Sequence, residues 1–291
     1  MTDYTPISFD QLPRYLRLLD QNPSQASDYS FANLWGWASH YGLEWRFDET
    51  LCWIRQTRQE ECHWAPVGPW EAVPNWADSP EMAVGAHFVR VPERLCSLWQ
   101  QAMPNTIRME EARGQWDYLY LSSELARLTG PTFHKKKNLL NQFVKKNEYV
   151  YKTLEEGDVD TVLALQNDWC KWRDCEESNA LIAENEAVER VLSRFEAIPG
   201  LCGGLILVND KPMAYTLAEP LHSDTLVIHF EKACNCFKGS YQAINYLFCN
   251  DIGKNYTYIN REQDLGEEGL RKAKESYNPT GFAKKCEVFV E

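Results

Sequence analysis

Short apolar runs alternate with polar turns along the second half of the chain, and they predict strands and helices in succession. The runs "LCGGLILV" and "PMAYTLAEPL" predict a hairpin, because the turn residues Asn209, Asp210 and Lys211 join them. The strand "DTLVIHFEKA" precedes the amphipathic helix "GSYQAINYLFCNDIG". The strand "YTYIN", the helix "GEEGLRKAKESY" and the strand "CEVFVE" complete the order. This order predicts an α/β fold, a mixed sheet with flanking helices.

The first half of the chain is more irregular, but it also shows the hydrophobic periods of helices and of strands. Phe31, Leu34 and Tyr41 share one face of a predicted helix, and "LEWRFD" and "LCWIRQT" predict a hairpin. Residues 92–103 and 184–197 also have helical patterns. The 291 residues are 44% hydrophobic and 13% aromatic, which suffices for packed cores and excludes a disordered chain.

The net charge of −12 argues against a general nucleic-acid binder, because duplex binding needs a broad basic surface. No run approaches the roughly 18 uninterrupted apolar residues that a membrane span needs, and the N-terminus lacks a secretory signal pattern. The sequence therefore predicts a cytoplasmic protein without a transmembrane segment. Its ten cysteines are expected to be reduced thiols, and their spacing predicts no metal site.

Three stretches could carry chemistry, and the first is the polar turn 260–264. The helix after it has acidic residues first and lysines last, which suits the helix dipole, so its charges need no functional explanation. The turn is different, because sites in open α/β sheets gather at the carboxyl ends of strands. Arg261, Glu262 and Asp264 are therefore candidate site residues, and a plain polar turn is the alternative.

The second stretch is the start of the helix "GSYQAINYLFCNDIG". Free backbone N–H groups and the helix dipole attract phosphate or carboxylate at such an end. Gly239 would let an anion approach the backbone closely, and Lys238 adds a positive charge. An ordinary cap formed by Gly239 and Ser240 is the alternative.

The third stretch, "TGPTFHKKKNLLNQFVKKN", predicts a basic amphipathic helix over residues 132–147. Lys135, Lys136 and Lys137 would lie in its first turn, where the helix dipole disfavours cations. This placement indicates an anionic partner, and a solvated basic face is the alternative. His134 could act as a general base or merely as a packing residue.

The three stretches together resemble the bacterial family related to the C-terminal domain of phosphatidylglycerol lysyltransferase. The quoted segments "LTGPTFHKKKNLLNQF", "HFEKACNCFKGSYQAINYLF" and "INREQDLGEEGLRKAKESYNP" carry the resemblance, and "FANLWGWASHYGLEW" extends it to nearly the whole chain. The resemblance implies two tandem acetyltransferase-like (GNAT-type) lobes, at 1–130 and 151–291. The basic connecting helix, 131–150, would lie at their junction.

The resemblance also implies transfer of an acyl or aminoacyl group to an amine or hydroxyl, from acyl-CoA or aminoacyl-tRNA. Lys238, Gly239, Ser240 and Tyr241 would correspond to the pyrophosphate-binding loop of the acetyltransferase fold. Cys236 and Tyr241 depart from the pattern of that loop. His134 and the three lysines that follow it would bind tRNA phosphate or another polyanion.

Four residues receive catalytic roles in this interpretation. Glu262 or Asp264 would be the general base for the attacking amine, and Arg261 would orient a carboxylate or the donor carbonyl. Tyr277 would donate a proton to the leaving group, or else belong to the core. The alternative function is a non-catalytic regulatory protein that binds anions or nucleotides on a degenerate fold of the same type.

Overall fold

The computed structural model describes residues 3–22, 24–173 and 175–291. Contacts group the chain into two compact units. Unit 1 comprises Met1–Asp117, Gln263–Glu267 and Phe282–Glu291, and unit 2 comprises Tyr118–Glu262 and Glu268–Gly281. The sequence prediction used continuous ranges and did not anticipate that the C-terminal strand returns to unit 1. The helix predicted as a connector lies within unit 2.

Strands and helices are numbered in chain order. The strands are β1 (Thr5–Pro6), β2 (Leu43–Phe47), β3 (Cys52–Gln56), β4 (Cys62–Val67), β5 (His87–Pro92), β6 (Ile107–Glu111), β7 (Asp117–Leu121), β8 (Tyr149–Thr153), β9 (Cys202–Val208), β10 (Lys211–His222), β11 (Thr225–Ala233), β12 (Tyr258–Asn260), β13 (Gly281–Ala283) and β14 (Lys285–Val290). The α-helices are α1 (Leu12–Asp20), α2 (Phe31–Tyr41), α3 (Glu93–Ala102), α4 (Ser122–Arg127), α5 (His134–Lys146), α6 (Val159–Trp172), α7 (Asn179–Leu192), α8 (Ser240–Asp251) and α9 (Glu268–Glu275).

Unit 1 contains a seven-stranded sheet in the order β1-β2-β3-β4-β5-β14-β6. Only the β4–β5 pair among these neighbours is parallel in the described chain. The predicted helix α2 is confirmed: Ser30 caps its start by accepting from the N–H of Asn33, and Gly42 ends it at φ 59°. Large aromatic side chains fill the core of the unit, among them Trp45, Trp53, Trp64, Trp70 and Trp99.

Four charged side chains form a buried network in unit 1. The ammonium of Lys285, which is 0% exposed, contacts the carboxylates of Asp28 and Asp117, the latter at 2.7 Å. Arg90 Nη1 donates to Asp28 Oδ1 at 2.6 Å. Two cations and two carboxylates therefore balance inside the unit, which keeps the cost of burying charge low.

A second seven-stranded sheet has the order β13-β7-β12-β11-β10-β9-β8, and its strands β8 to β12 lie wholly within unit 2. The predicted hairpin of β9 and β10 is confirmed, and its turn residues Asn209 and Asp210 take positive φ values of 50° and 60°. The pair β11–β12 is parallel. The predicted mixed α/β fold with flanking helices is therefore confirmed.

The helix predicted at 184–197 lies earlier in the chain. Ser178 accepts a hydrogen bond from the N–H of Leu181 and so starts α7 at Asn179, and the helix ends at Leu192. The apolar periodicity of the sequence continues beyond Leu192, where the helix ends. The N-cap residue Ser178, which fixes the start of the helix, was not recognised.

Candidate active site

The strands β11 and β12 run side by side only from Thr225↔Tyr258 to Val227↔Asn260. Beyond these pairs β11 continues, while β12 ends. We call the region between residues 228–233 and residues 261–262 the splay. Because ligands in open α/β sheets bind beyond the carboxyl ends of strands, the splay is the candidate site.

Arg261 is the first residue after β12 and lies in the splay. Its Nη2 donates to Glu231 Oε1 at 2.9 Å, and the amide of Asn245 on α8 donates to Glu231 Oε2 at 3.0 Å. Burial opposes the charge of the guanidinium, but Glu231 outweighs it and raises the pKa of Arg261. In the described residues, Arg261 Nη1 is buried without a hydrogen-bond partner. Such an unsatisfied donor is costly unless a ligand completes it.

Tyr277 brings a second cation close to Arg261. The Arg261 guanidinium carbon lies 4.8 Å from the centre of the Tyr277 ring, and Lys136 Nζ lies 4.4 Å from it. Burial and the charge of Arg261 lower the pKa of Lys136. Burial raises the pKa of Tyr277 to about 12, so its phenol stays protonated at neutral pH. The structure therefore brings together three predicted site residues, Arg261, Tyr277 and Lys136.

A β-bulge on β11 places His229 at the splay. Leu217 of β10 lies opposite Phe230, whereas Ala218 lies opposite Ile228, so that His229 is the extra residue. Bulges of this kind redirect a side chain and are frequent beside active sites.

The side chain of His229 is fully buried between two carboxylates. Its Nδ1 lies 2.9 Å from Glu262 Oε1 and its Nε2 lies 3.2 Å from Glu219 Oε1. Burial alone would lower the pKa of His229, but the carboxylates of Glu219 and Glu262 beside its two ring nitrogens raise it to about 9. His229 is therefore an imidazolium at neutral pH, and it ties β10, β11 and the chain after β12 together.

The two predicted bases lie in different environments. The Glu262 side chain is 18% exposed and is paired with His229 in unit 2. Asp264 belongs to unit 1, is 0% exposed, and accepts from Arg113 Nη1 at 3.1 Å and from the N–H of Gly266 at 2.9 Å. The Glu262 side chain is therefore partly exposed, whereas that of Asp264 is enclosed.

The residues at the start of α8 contact other residues of the chain. Gly239 takes a φ of 92°, and a Cβ there would collide with the carbonyl oxygen of Leu139 on α5. The Ser240 hydroxyl donates to the carbonyl of Cys234 at 2.8 Å, and Tyr241 accepts from Trp169 Nε1 at 3.0 Å. Gly239 is thus required here by the close approach of α5.

The remaining predicted residues differ in exposure. Lys238, His134, Lys135 and Lys137 are exposed, whereas Lys136 is half-buried.

The expectation that all ten cysteines are free thiols is wrong at two positions, because a disulfide joins Cys234 to Cys236.

Five polar residues of the site were missed by sequence reasoning: Glu219, His229, Glu231, Gln242 and Asn245. Charged residues at alternate positions of the otherwise apolar run "LVIHFEKA" were an available signal, because alternate residues of a strand share a face. Their partners could not be identified, since these depend on the pairing of strands far apart in sequence.

A cavity of the protein lies outside the splay. A cavity of about 730 Å³ lies between α6 and α7, and Cys170, Cys175 and Asn185 line it. Across 3–22, 24–173 and 175–291, no group of three or more His, Cys, Asp or Glu side chains is placed to hold a metal ion. Within the same ranges, no helix combines the length and apolar character that a membrane crossing requires.

Comparison with solved structures places the fold. A conserved protein of unknown function from Bacteroides thetaiotaomicron is 30% identical, with a TM-score of 0.91 and full coverage of both chains. L-PGS from Bacillus licheniformis is 12% identical, with a TM-score of 0.64 over 96% of this chain and 91% of that one. FemX is 10% identical, with a TM-score of 0.57 over 100% and 98%. The chain therefore shares the tandem acetyltransferase-like fold of L-PGS and FemX.

Sequence comparison assigns the family. An uncharacterised protein from Mycoplasmoides gallisepticum is 28% identical over 184 residues, which are 60% of this chain and 56% of that protein. The chain thus spans little more than half the length of this curated relative. Residues 20–285 match the family described as "Phosphatidylglycerol lysyltransferase, C-terminal", and the chain belongs to that family.

Proposed function

We propose that the chain transfers an aminoacyl or other acyl group from an activated donor to an amine or hydroxyl acceptor, at the splay of unit 2. The buried Arg261 carries the proposal, because its Nη1 lacks a partner where the parallel strands part. Membership of a lysyltransferase family and the fold shared with L-PGS and FemX support the same class of reaction.

Glu262 is the general base in this proposal, because its side chain is partly exposed while that of Asp264 is enclosed. His229 Nδ1 lies 2.9 Å from Glu262 Oε1 and holds this carboxylate in place, where it can accept a proton from the attacking group. Tyr277 is the proton donor to the leaving group, since its phenol retains its proton at neutral pH. Arg261 orients the donor carbonyl or a substrate carboxylate.

Aminoacyl-tRNA is the donor that we propose. Acyl-CoA fits poorly, because α5 closes over Gly239 and the side chains of Ser240 and Tyr241 are hydrogen-bonded internally. A pyrophosphate would meet a carbonyl oxygen there. Exposed lysines at 135 and 137 offer charge to an RNA backbone instead.

The test is transfer from labelled lysyl-tRNA and from acyl-CoA to a set of amine and hydroxyl acceptors that includes phosphatidylglycerol. Glu262→Gln is expected to reduce transfer by about 10²–10⁴-fold, the usual contribution of a general base. Asp264→Asn tests the other predicted base, and Glu268→Gln, at an exposed carboxylate on α9, is the matched control. Intact transfer by Glu262→Gln would refute Glu262 as the base, and intact transfer by both variants would exclude both predicted bases.

A non-catalytic anion-binding protein is the second candidate. The engaged start of α8 favours it, since a donor-binding loop of the acetyltransferase type is closed. Thermal stabilisation by charged tRNA without turnover for any acceptor would support this candidate.

A further inference from the structure

Two cations of unit 2, Arg261 and Lys136, lie against the ring of Tyr277, and in the described chain only Arg261 has a carboxylate partner. Arg261 pairs with Glu231, whose second oxygen is taken by Asn245. Among the residues that the structure describes, Lys136 forms no ion pair, and the only charge that acts on its pKa is that of Arg261. The cluster therefore carries an excess of one positive charge in a half-buried place.

Donors for a ligand are already positioned in this cluster. Arg261 Nη1 is an unused donor of a guanidinium whose other edge is held by Glu231. The Lys136 ammonium stands against the ring of Tyr277, and an aromatic face compensates such a charge only partly. The phenol of Tyr277 is held by Gln242 and keeps its proton as a further donor.

We propose that Arg261 Nη1 and Lys136 Nζ together bind a small monoanionic group with two equivalent oxygens, a carboxylate or a phosphodiester. One negative charge neutralises the excess, and two oxygens match the donors of a guanidinium and an ammonium. The proposal rests on the proposed function only in taking this group to be part of a substrate. A carboxylate would point to an amino acid or peptide, and a phosphodiester to a lipid headgroup or RNA.

The experiment measures binding of acetate and of dimethyl phosphate to the full chain by NMR, with no donor and no turnover. The signals of the Lys136 side chain are followed at increasing anion concentration, and the pKa of its ammonium is expected to rise on binding. Lys136→Met should weaken binding by roughly 10–100-fold, as expected for loss of one charged hydrogen bond. Lys137→Met removes the same charge from the exposed neighbouring position and should change affinity less than about twofold.

Arg261→Gln leaves Glu231 buried without its partner and could prevent folding. Thermal unfolding therefore checks whether this variant folds. If the variant does not fold, Lys136→Met alone provides the test. Tighter acetate binding identifies a carboxylate, tighter dimethyl phosphate binding a phosphodiester, and equal binding a site selective for charge alone. Equal affinity of the wild type and Lys136→Met, or an equal loss in Lys137→Met, overturns the proposal. Anion binding without transfer by any donor would refute the proposed function and leave this site standing.

Discussion

Glu219→Gln is expected to lower the pKa of His229, because it removes one of the two carboxylates that hold the imidazolium. In the wild type these carboxylates raise that pKa from 6.5 to about 9 despite complete burial. One pH unit corresponds to about 1.4 kcal/mol, so the cluster favours the charged form by about 3 kcal/mol. If each carboxylate supplies half or more of this effect, the variant pKa falls by about 1–2 pH units.

The sign of the pH dependence follows from the direction of this change. The pKa of the folded state lies above that of the unfolded state, so the stabilisation is fully present below about pH 6.5. It is then lost as the pH rises through about 9. The splay should accordingly loosen in alkaline rather than acidic solution.

The assay is an NMR titration of the histidine ring protons between pH 5 and 10. The six histidines of the chain are distinguished with His229→Gln, whose spectrum lacks the signal of interest. Glu44→Gln, at a surface carboxylate paired with Arg55 in unit 1, is the matched control and should leave the titration unchanged. A wild-type pKa near 6.5, or the same pKa in Glu219→Gln, would show that the ion pairs do not form.

Two further pairs of variants test how the units are stabilised, both by urea unfolding. Gly239→Ala should cost about 1–3 kcal/mol through positive φ and the close carbonyl of α5. Gly269→Ala, in open space on α9, should be neutral or stabilise by up to about 1 kcal/mol. Lys285→Met should cost about 3–5 kcal/mol, because two buried aspartates lose their ammonium partner. Lys284→Met, at the exposed neighbour, should cost at most about 1 kcal/mol. Equal losses within either pair would contradict the corresponding explanation.

Local sequence patterns identified the elements of unit 2 well. The turn at Asn209 and Asp210 was predictable because their positive φ values are a local requirement of a two-residue hairpin. The strand "YTYIN" and helix α9 followed from periodicity and charge placement in the same way. Each of these features depends on residues within one or two turns of the chain.

The site was only partly predictable, because its pairings are distant in sequence. Arg261 was identified from its place after a strand, whereas Tyr277 received its role in the interpretation that followed the family resemblance. That Lys136 stands against the same Tyr277 ring follows only from the packing of α5. At Gly239 the sequence predicted an anion site from the helix start alone. The backbone of α5 lies against Gly239 in the structure, and the local sequence could not show this contact.

Each unit has an arginine directly after the last residue pair of its parallel strands. In unit 1 the parallel pair of β4 and β5 ends at Trp64↔Val89 and is followed by Arg90, just as Arg261 follows Asn260 in unit 2. Arg90 Nη1 is satisfied by Asp28 at 2.6 Å and by Gln115 at 3.3 Å.

Arg261 lies after the end of its strand, whereas Arg90 lies within β5, and the two arginines have different partners. Its Nη1 has none in the described chain, and the nearby ammonium of Lys136 adds positive charge where unit 1 supplies a second aspartate. An arginine whose N–H groups all have partners within its own unit contributes to folding stability. An arginine with an unpartnered N–H group is stabilised when a ligand accepts that hydrogen bond. This difference supports the proposal of substrate binding at the splay of unit 2. Arg90→Lys should therefore reduce folding stability while leaving the affinity for acetate or dimethyl phosphate unaltered.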